Sequence, residues 1–292
     1  MKLRRSVAAI LFPQARRSRA AMEQTLSYLS DKVHQIEFYY EGEEHQAIAR
    51  ALEQSGLTSC FVGVIPSKEK QLSLCSLDPG HRTAAVDLMK QCVDTAYTLG
   101  TQRFMVCSGK YPATHSDVPA SIDAFVQSMC EVIDYSEKKS GSQKLHFLLE
   151  PCDSHMDACH LLGSTAHSVE AVRRVQRSFP NFTLTMDTAH VAEEGEEFLE
   201  AMKLAKDYCD HVHFANCVIH DPSHPFYGDK HVDFDEPFSS FPYPVLEKIL
   251  HSLDRTYDEG TLTVALESLC RGEDAFKNFE KIMQNMPWFF QR

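Results

Sequence analysis

The sequence lacks an excess of basic residues and lacks paired cysteines. Its 29 Lys and Arg stand against 41 Asp and Glu, a formal charge of −12, which argues against a protein that works mainly by neutralising nucleic acid phosphates. None of the ten cysteines forms a C-x-x-C pair, a pattern typical of free thiols in a reducing compartment, so we predict a cytoplasmic protein. No G-x-G-x-x-G or Walker motif follows the first apolar run, so the usual cofactor signals of a doubly wound sheet are missing.

A long apolar run is also missing. The first 19 residues carry six basic side chains and no acid, which gives this segment the superficial composition of a transit peptide. Its apolar centre, VAAILFP, is too short to span a membrane, and we interpret it as the first β-strand. We therefore expect no association with a membrane.

Apolar, β-rich runs recur along the chain between stretches with helical spacing. These runs are SVAAILF from Ser6, KVHQIEFYY from Lys32, TSCFVGVI from Thr58, RFMVC from Arg103, KLHFLLE from Lys144, FTLTMD from Phe182, HVHFAN from His211 and TLTVALE from Thr261. One helical stretch ends at Gly100, and another opens on a capping Ser168. Eight strands that alternate with helices predict an α/β fold, a single (β/α)8 TIM-barrel domain over residues 1–292 with its active site at the C-terminal ends of the strands. An open doubly wound sheet is the rival fold.

Ionisable residues stand at the ends of the last four predicted strands. Strand five ends at Glu150, strand six at Asp187 and strand eight at Glu267, and strand seven contains His213. The C-terminal ends of barrel strands converge on one face, so we expect these four side chains to be neighbours. Each charge is costly to bury alone, and one shared cation removes that cost for all four.

Each of these residues also has an ordinary structural explanation. A single acid at a strand end is more commonly a helix cap or an ion-pair partner, and a single histidine is more commonly a core residue; four on successive strands favour a metal site. His211 lies on the same strand face as His213, so the choice between them rests on the position of His213 nearer the strand end. Three carboxylates and one imidazole favour Mn²⁺, with Mg²⁺, Co²⁺ and Zn²⁺ as alternatives.

On these residues the chain resembles the xylose isomerase-like TIM-barrel superfamily, within it the sugar phosphate isomerase/epimerase group of D-tagatose 3-epimerase-like enzymes and hydroxypyruvate isomerases. The matching segments are LLEPCD with Glu150, MDTAHVAEEGE with Asp187 and His190, VHFANC with His213, YGDKHVDF with His231, and ALES with Glu267. The resemblance implies that Glu150, Asp187, His213 and Glu267 hold one divalent ion. It further implies that Glu150 and Glu267 act as acid and base, and that His190 hydrogen-bonds a substrate oxygen.

The expected function is therefore a metal-dependent isomerase or epimerase of a ketose, sugar phosphate or related small hydroxy-carbonyl compound. Two glutamates would transfer a proton through a metal-stabilised enediolate. Asp229 and His231, in the long loop after strand seven, are either substrate-binding residues, ligands of a second metal or part of a polar surface loop. We expect a small carbohydrate as the partner, with a homodimer as the candidate assembly and no nucleic acid.

Other functions share parts of this pattern. An endonuclease IV-like phosphodiesterase uses D-x-x-H and D-x-H motifs, but it needs three metals, and strands three and four end in VIPSK and VCSGK without a ligand. An inosose-type dehydratase, or a barrel that binds metal without catalysis, also fits the ligands. Enzymes of the group carry a substrate-contacting arginine where this chain has residues near Ile219, and a further glutamate where it has Met156. The basic segment ARRSR, Ala15 to Arg19, is either a binding site for a phosphate or carboxylate or a solvated helix start.

Overall fold

The computed structural model describes residues 3–139, 141, 144–271 and 274–290, so both ends of the predicted domain, residues 1–2 and 291–292, lie outside it. Eight parallel strands follow one another in sequence order, and the eighth pairs with the first to close a barrel. The strands are β1 Arg4–Ala8, β2 Gln35–Phe38, β3 Thr58–Val62, β4 Arg103–Val106, β5 His146–Leu149, β6 Phe182–Asp187, β7 Cys209–Phe214 and β8 Thr263–Leu266. The predicted (β/α)8 barrel is confirmed.

Helices surround the barrel and connect its strands. They are α1 Arg19–Leu29, α2 His45–Ser55, α3 Val64–Glu69, α4 Pro79–Leu99, α5 Val118–Lys139, α6 Thr165–Gln176, α7 Thr188–Glu193, α8 Phe198–Ala205, α9 Tyr243–Thr256, α10 Ala275–Asn285 and α11 Pro287–Phe290. In the described ranges, none of these helices combines the length and apolar character needed to cross a bilayer.

Two predicted boundaries differ from the structure. β1 ends at Ala8, because the chain turns into a 3-10 helix at Ala9–Leu11, closed by a bond from the Phe12 N–H to the Ala9 carbonyl. The cap of α6 is Ser164 rather than Ser168, which lies buried inside the helix. By contrast, α4 ends before Gly100 as predicted, and the left-handed φ of 71° at this glycine explains why the helix stops there.

Alternation along the strands separates two environments. Outward-facing phenylalanines of β3, β4 and β5 form a continuous row, with ring centroids 5.3 Å apart between Phe61 and Phe104 and 5.4 Å apart between Phe104 and Phe147. Polar side chains face inward instead: His211 of β7 contacts Glu37 of β2, and these strands are not neighbours, so the contact crosses the interior. The helices therefore pack on an apolar shell, and the barrel interior holds polar side chains beside a small apolar cluster that includes Cys60, Met105 and Leu148.

An ion-pair network lies in the barrel at the N-terminal ends of the strands. Nη2 of Arg103 lies 2.6 Å from Oδ1 of Asp210, and Nε2 of His146 lies 3.1 Å from Oδ2 of the same carboxylate. Burial raises the pKa of Asp210, but the hydrogen bond from His146 and the charge of Arg103 outweigh burial and hold this pKa well below its ordinary value. The carboxylate is therefore ionised in the folded protein.

We expect Asp210→Asn to lower the free energy of unfolding at pH 7 by about 2 kcal/mol, because a charge-assisted network is lost. The folded-state pKa of Asp210 is depressed, so its stabilisation is complete above roughly pH 4 and is lost as the pH falls through the folded-state pKa. Urea unfolding in the presence of a chelator should show the difference between wild type and variant shrinking below that pH.

Asp123→Asn is the matched control, since Asp123 pairs with Arg174 at the surface and its side chain is 58% exposed. We expect this change to cost less than about 0.5 kcal/mol. Equal losses in the two variants, or a loss in Asp210→Asn that does not depend on pH, would contradict the assignment.

Candidate metal centre and active site

The C-terminal ends of β5 to β8 bring four ionisable side chains to one point. One donor atom from each of Glu150, Asp187, His213 and Glu267 lies within 4.8 Å of the others. Nδ1 of His213 is 2.8 Å from Oε1 of Glu150, 2.5 Å from Oε2 of Glu267 and 3.7 Å from Oδ2 of Asp187. Strand register explains part of this geometry, because Asp187 pairs directly with His213 across β6 and β7. We call these four residues the metal cluster.

Asp187 caps a helix with one oxygen and faces the metal cluster with the other. Its Oδ1 accepts hydrogen bonds from the backbone N–H groups of Ala189 at 2.7 Å and His190 at 3.0 Å, which caps α7. Its Oδ2 is buried and makes no hydrogen bond with any described residue. The sequence offered a helix cap and a metal ligand as alternatives, and one side chain has the geometry for both.

Buried atoms without hydrogen bonds make the cluster fit a cation. Among the described residues, Nδ1 of His213 and Oε2 of Glu267 also have no contact with hydrogen-bond geometry, although they lie close together. Burial lowers the pKa of His213, but Glu267, Glu37 and Glu150 outweigh burial and raise it well above its ordinary value. Burial itself is the main cause that raises the pKa of Asp187. Oxygen and nitrogen donors with this much buried charge are consistent with a divalent metal site.

Glu37, which the sequence did not single out, contacts the far side of the His213 ring. Its Oε2 lies 2.8 Å from Nε2 of His213, and its Oε1 lies 2.8 Å from Nε2 of His211. His211 therefore lies behind the metal cluster, and Nδ1 of His213 is the imidazole atom that faces the carboxylates. The signal was an acid inside the buried run QIEF, where a charge needs a partner.

A cavity of about 480 Å³ has three of the four metal-cluster residues in its wall. Glu150, His213 and Glu267 line this cavity, whereas Asp187 does not belong to its described lining. Apolar and aromatic side chains form much of the remaining wall: Ile10, Phe38, Tyr39, Val62, Ile65 and Leu269. A cavity of this size and character suits a small organic molecule.

The loop between β7 and α9 folds back to this cavity. His231 lines the wall, with its Nδ1 2.7 Å from Oδ1 of Asp229 and its Nε2 3.7 Å from Oε2 of Glu267. Its φ of 44° is left-handed, a conformation that non-glycine residues adopt rarely and often at functional sites. Asn216 anchors the loop: its amide nitrogen donates to the Asp233 carbonyl, and its amide oxygen accepts from the Phe241 N–H. The structure thus places His231 in the cavity wall and Asp229 in contact with the His231 ring.

His190 lines the cavity beside His231, with 5.6 Å between the two ring centroids. Nδ1 of His190 lies 3.2 Å from Oε2 of Glu193, a second residue that sequence analysis missed, and burial raises the pKa of Glu193 to about 7. Asp187, His190 and His231 form an overlapping group of potential ligands. The sequence signal for Glu193 was its position three residues after His190, because residues three apart lie on the same face of a helix.

Basic and thiol side chains complete the surroundings. Arg16 and Arg17 line the cavity, but Glu41 pairs with both and Glu69 pairs with Arg16, so two carboxylates compensate the two charges. Lys68 also lines the cavity, and the charge of Cys152 raises the pKa of this lysine. Burial raises the pKa of Cys152, but Lys68 and two neighbouring histidines outweigh burial and bring it to about 6. The cavity therefore carries charge of both signs.

Comparison with known proteins identifies the family. Residues 24–287 match the family described as xylose isomerase-like TIM barrel. This match covers most of the chain, and the protein belongs to the xylose isomerase-like TIM barrel family. No curated protein sequence matches the chain.

Solved structures share the same fold. A D-psicose 3-epimerase determined in the presence of D-fructose has a TM-score of 0.71 at 15% identity over 98% of both chains. A D-tagatose 3-epimerase-like protein has a TM-score of 0.69, also at 15% identity and over 98% of both chains. An AP endonuclease, family 2, from Brucella melitensis has a TM-score of 0.66 at 17% identity over 98% of both chains. At these identities the likeness shows the fold alone.

Loss of a residue that hydrogen-bonds a metal ligand typically weakens metal binding by about 10–100-fold. We expect His213→Gln to raise the dissociation constant for a divalent ion by more than this factor. The reason is that His213 supplies the imidazole atom at the centre of the metal cluster. Metal content after equilibrium dialysis against Mn²⁺ measures this effect.

His231→Gln is the matched control, because His231 belongs to the overlapping group with Asp187 and His190 but not to the metal cluster. We expect this variant to keep about one ion per chain. Loss of the ion from His231→Gln and its retention in His213→Gln would reverse the assignment.

Proposed function

We propose that this protein is a divalent-metal-dependent isomerase or epimerase of a ketose, sugar phosphate or related small hydroxy-carbonyl compound. The proposal rests on one observation: Glu150 and Glu267 belong to the metal cluster and also line the cavity. Each glutamate therefore has the ion site and the substrate space within reach at the same time. Isomerisation next to a carbonyl requires such a pair, because one group removes a proton and another returns it.

The residues divide into two kinds of role. Glu150, Asp187, His213 and Glu267 are assigned to holding the ion, for which Mn²⁺ is the favoured cation. Asp187 is assigned to this role alone, since it lies outside the cavity lining. Glu150 and Glu267 are assigned in addition to proton removal and proton return, and they reach the cavity from different strands, β5 and β8.

The bound ion supplies Lewis-acid polarisation of the substrate carbonyl. His190 and His231 are assigned to hydrogen bonds with substrate oxygens, and Asp229 holds the His231 ring through its contact with Nδ1. The apolar side chains that form much of the remaining wall are assigned to limiting the access of water to the reacting carbon, which would strengthen the electrostatic effect of the buried glutamates. Two structural neighbours named as epimerases of ketoses, or as like them, support this substrate class.

The nuclease alternative has less support. A three-metal site needs ligands from early strands, and within the described ranges no group of potential ligands includes a residue of β3 or β4. Beside the metal cluster, the described residues form three further groups of potential ligands, and each shares His213, Asp187 or His190 with another group. The net charge of −12 also opposes binding of a phosphate backbone.

Solvent exchange tests the proposed chemistry directly. With Mn²⁺ in D₂O, the wild-type protein should incorporate deuterium into at least one compound from a panel of ketoses, sugar phosphates and hydroxypyruvate, as measured by mass spectrometry. Glu150→Gln and Glu267→Gln should each slow this incorporation by a factor of about 10² to 10⁴, because an amide cannot exchange the proton. Metal content measured in the same samples separates loss of a base from loss of the ion.

Glu69→Gln is the control for a glutamate near the cavity, where Glu69 pairs with Arg16. This change should alter incorporation by less than about twofold. Full incorporation by both test variants would contradict the assignment of the two glutamates. Products that have lost water would identify a dehydratase, and an ion-loaded protein that exchanges no proton would identify a binding barrel without catalysis.

A further inference from the structure

A continuous chain of polar contacts runs through the barrel interior from the metal cluster to the strand starts. Nε2 of His213 contacts Oε2 of Glu37 at 2.8 Å, and Oε1 of Glu37 contacts Nε2 of His211 at 2.8 Å. Nδ1 of His211 contacts Nη1 of Arg103 at 3.1 Å, and Nη2 of Arg103 contacts Asp210 at 2.6 Å. Glu37 and His211 are both buried, with exposures of 1% and 0%, so water does not interrupt the chain.

The chemistry of these groups decides where each proton lies. A guanidinium has only donors, so Nδ1 of His211 must accept from Arg103, and the proton of the His211 ring lies on Nε2. That proton is donated to Oε1 of Glu37. A carboxylate only accepts, so Oε2 of Glu37 takes the Nε2 proton of His213. When the His213 ring is neutral, as it must be to bind a cation, its single proton is therefore on Nε2, and the lone pair of Nδ1 faces the metal cluster.

We propose that Glu37 is the positioning residue that fixes His213 in the tautomer able to bind the ion through Nδ1, and that Arg103 and His211 form a relay with it in which each proton has one direction. This inference rests on the metal centre of the proposed function and assigns the orientation of His213 to Glu37 on β2, which is linked through His211 on β7 to Arg103 on β4. Glu37 is the central member, and the hydroxyl of Ser6 at 2.5 Å holds its Oε1 in place.

Stability alone does not account for this arrangement. Barrel interiors are usually filled by branched apolar side chains, and well-packed apolar residues are often as stable as a buried charged network. Apolar side chains cannot determine which nitrogen of a histidine ring carries the proton, because they neither donate nor accept hydrogen bonds. Histidine ligands commonly depend on such a partner at the second ring nitrogen, and here the partner is itself oriented by Arg103 through His211.

The test is Glu37→Gln, which keeps the shape but replaces one acceptor with a donor. Since Arg103 keeps the proton of His211 on Nε2, the amide oxygen must face His211 and the amide NH₂ must face Nε2 of His213. His213 is then driven to the opposite tautomer, with a proton on Nδ1 where the ion binds. We expect the dissociation constant for Mn²⁺, measured by titration calorimetry, to rise by about 10–100-fold.

A second change should restore binding if the relay operates through donors and acceptors. Arg103→Met removes the constraint on His211, so in the double variant the His211 ring can accept from the amide and the amide oxygen can face His213. We expect Arg103→Met alone to alter the dissociation constant by less than about threefold, and the double variant to return to within about threefold of Arg103→Met. His211→Leu combined with Glu37→Gln releases the same constraint if Arg103→Met does not fold.

Ser6→Ala is the control, because it removes a contact to Glu37 without changing the acceptor that faces His213.

Nitrogen chemical shifts provide the direct readout. Two-bond proton–nitrogen correlation spectra of the Zn²⁺-loaded wild type should show protons on Nε2 of both His211 and His213. Two results would overturn the relay and leave the metal centre unaffected. One is a Glu37→Gln variant that binds Mn²⁺ with wild-type affinity. The other is a double variant whose dissociation constant rises by the product of the increases in the two single variants. A wild-type protein that binds neither Mn²⁺ nor Zn²⁺ would overturn the proposed function as well.

Discussion

The cost of keeping charge away from water shapes the interior of this barrel. Eight strands close on themselves, so each ionisable group that points inward must find its partner among other inward-pointing groups. Arg103 is matched by Asp210 at the strand starts, and Glu37 is matched by two histidines at the middle level. At the strand ends the matching is incomplete, because three carboxylates surround one imidazole. The metal cluster is the place where protein groups alone do not balance the charge.

The same constraint explains why the site tolerates little rearrangement. Glu150, Asp187, His213 and Glu267 come from four adjacent strands, and the pairing of these strands fixes the heights at which the residues leave the barrel. The loop that carries His231 is tied to the barrel through both polar atoms of the Asn216 amide, which lies just beyond β7. Rigid strands hold the donor atoms, and an anchored loop brings the remaining polar side chains to the cavity. This division is usual for enzymes of this fold.

How much the sequence predicts depends on the range of the contacts involved. The barrel followed from strand periodicity and from the regular alternation with helices, which are local properties. The proximity of Glu150, Asp187, His213 and Glu267 followed from one topological rule, that strand ends meet on one face. Glu37 was out of reach of both arguments, because it lies inside β2 rather than at its end and its partners lie on β7, across the barrel. The shortened β1 was equally hidden, since Leu11 and Phe12 are as buried as strand residues, although they lie outside the barrel, where Phe12 packs against Phe276 and Phe279.

The two oxygens of Asp187 serve different neighbours, and this has a consequence for order in the site. One oxygen fixes the first turn of α7, which carries His190 to the cavity, while the other faces the metal cluster. Under the proposed function, a cation bound to the second oxygen also holds the carboxylate in the rotamer that the helix start requires. Occupancy of the ion and order of the substrate-facing histidine are then thermodynamically linked, so binding of the ion stabilises the surface that the substrate contacts.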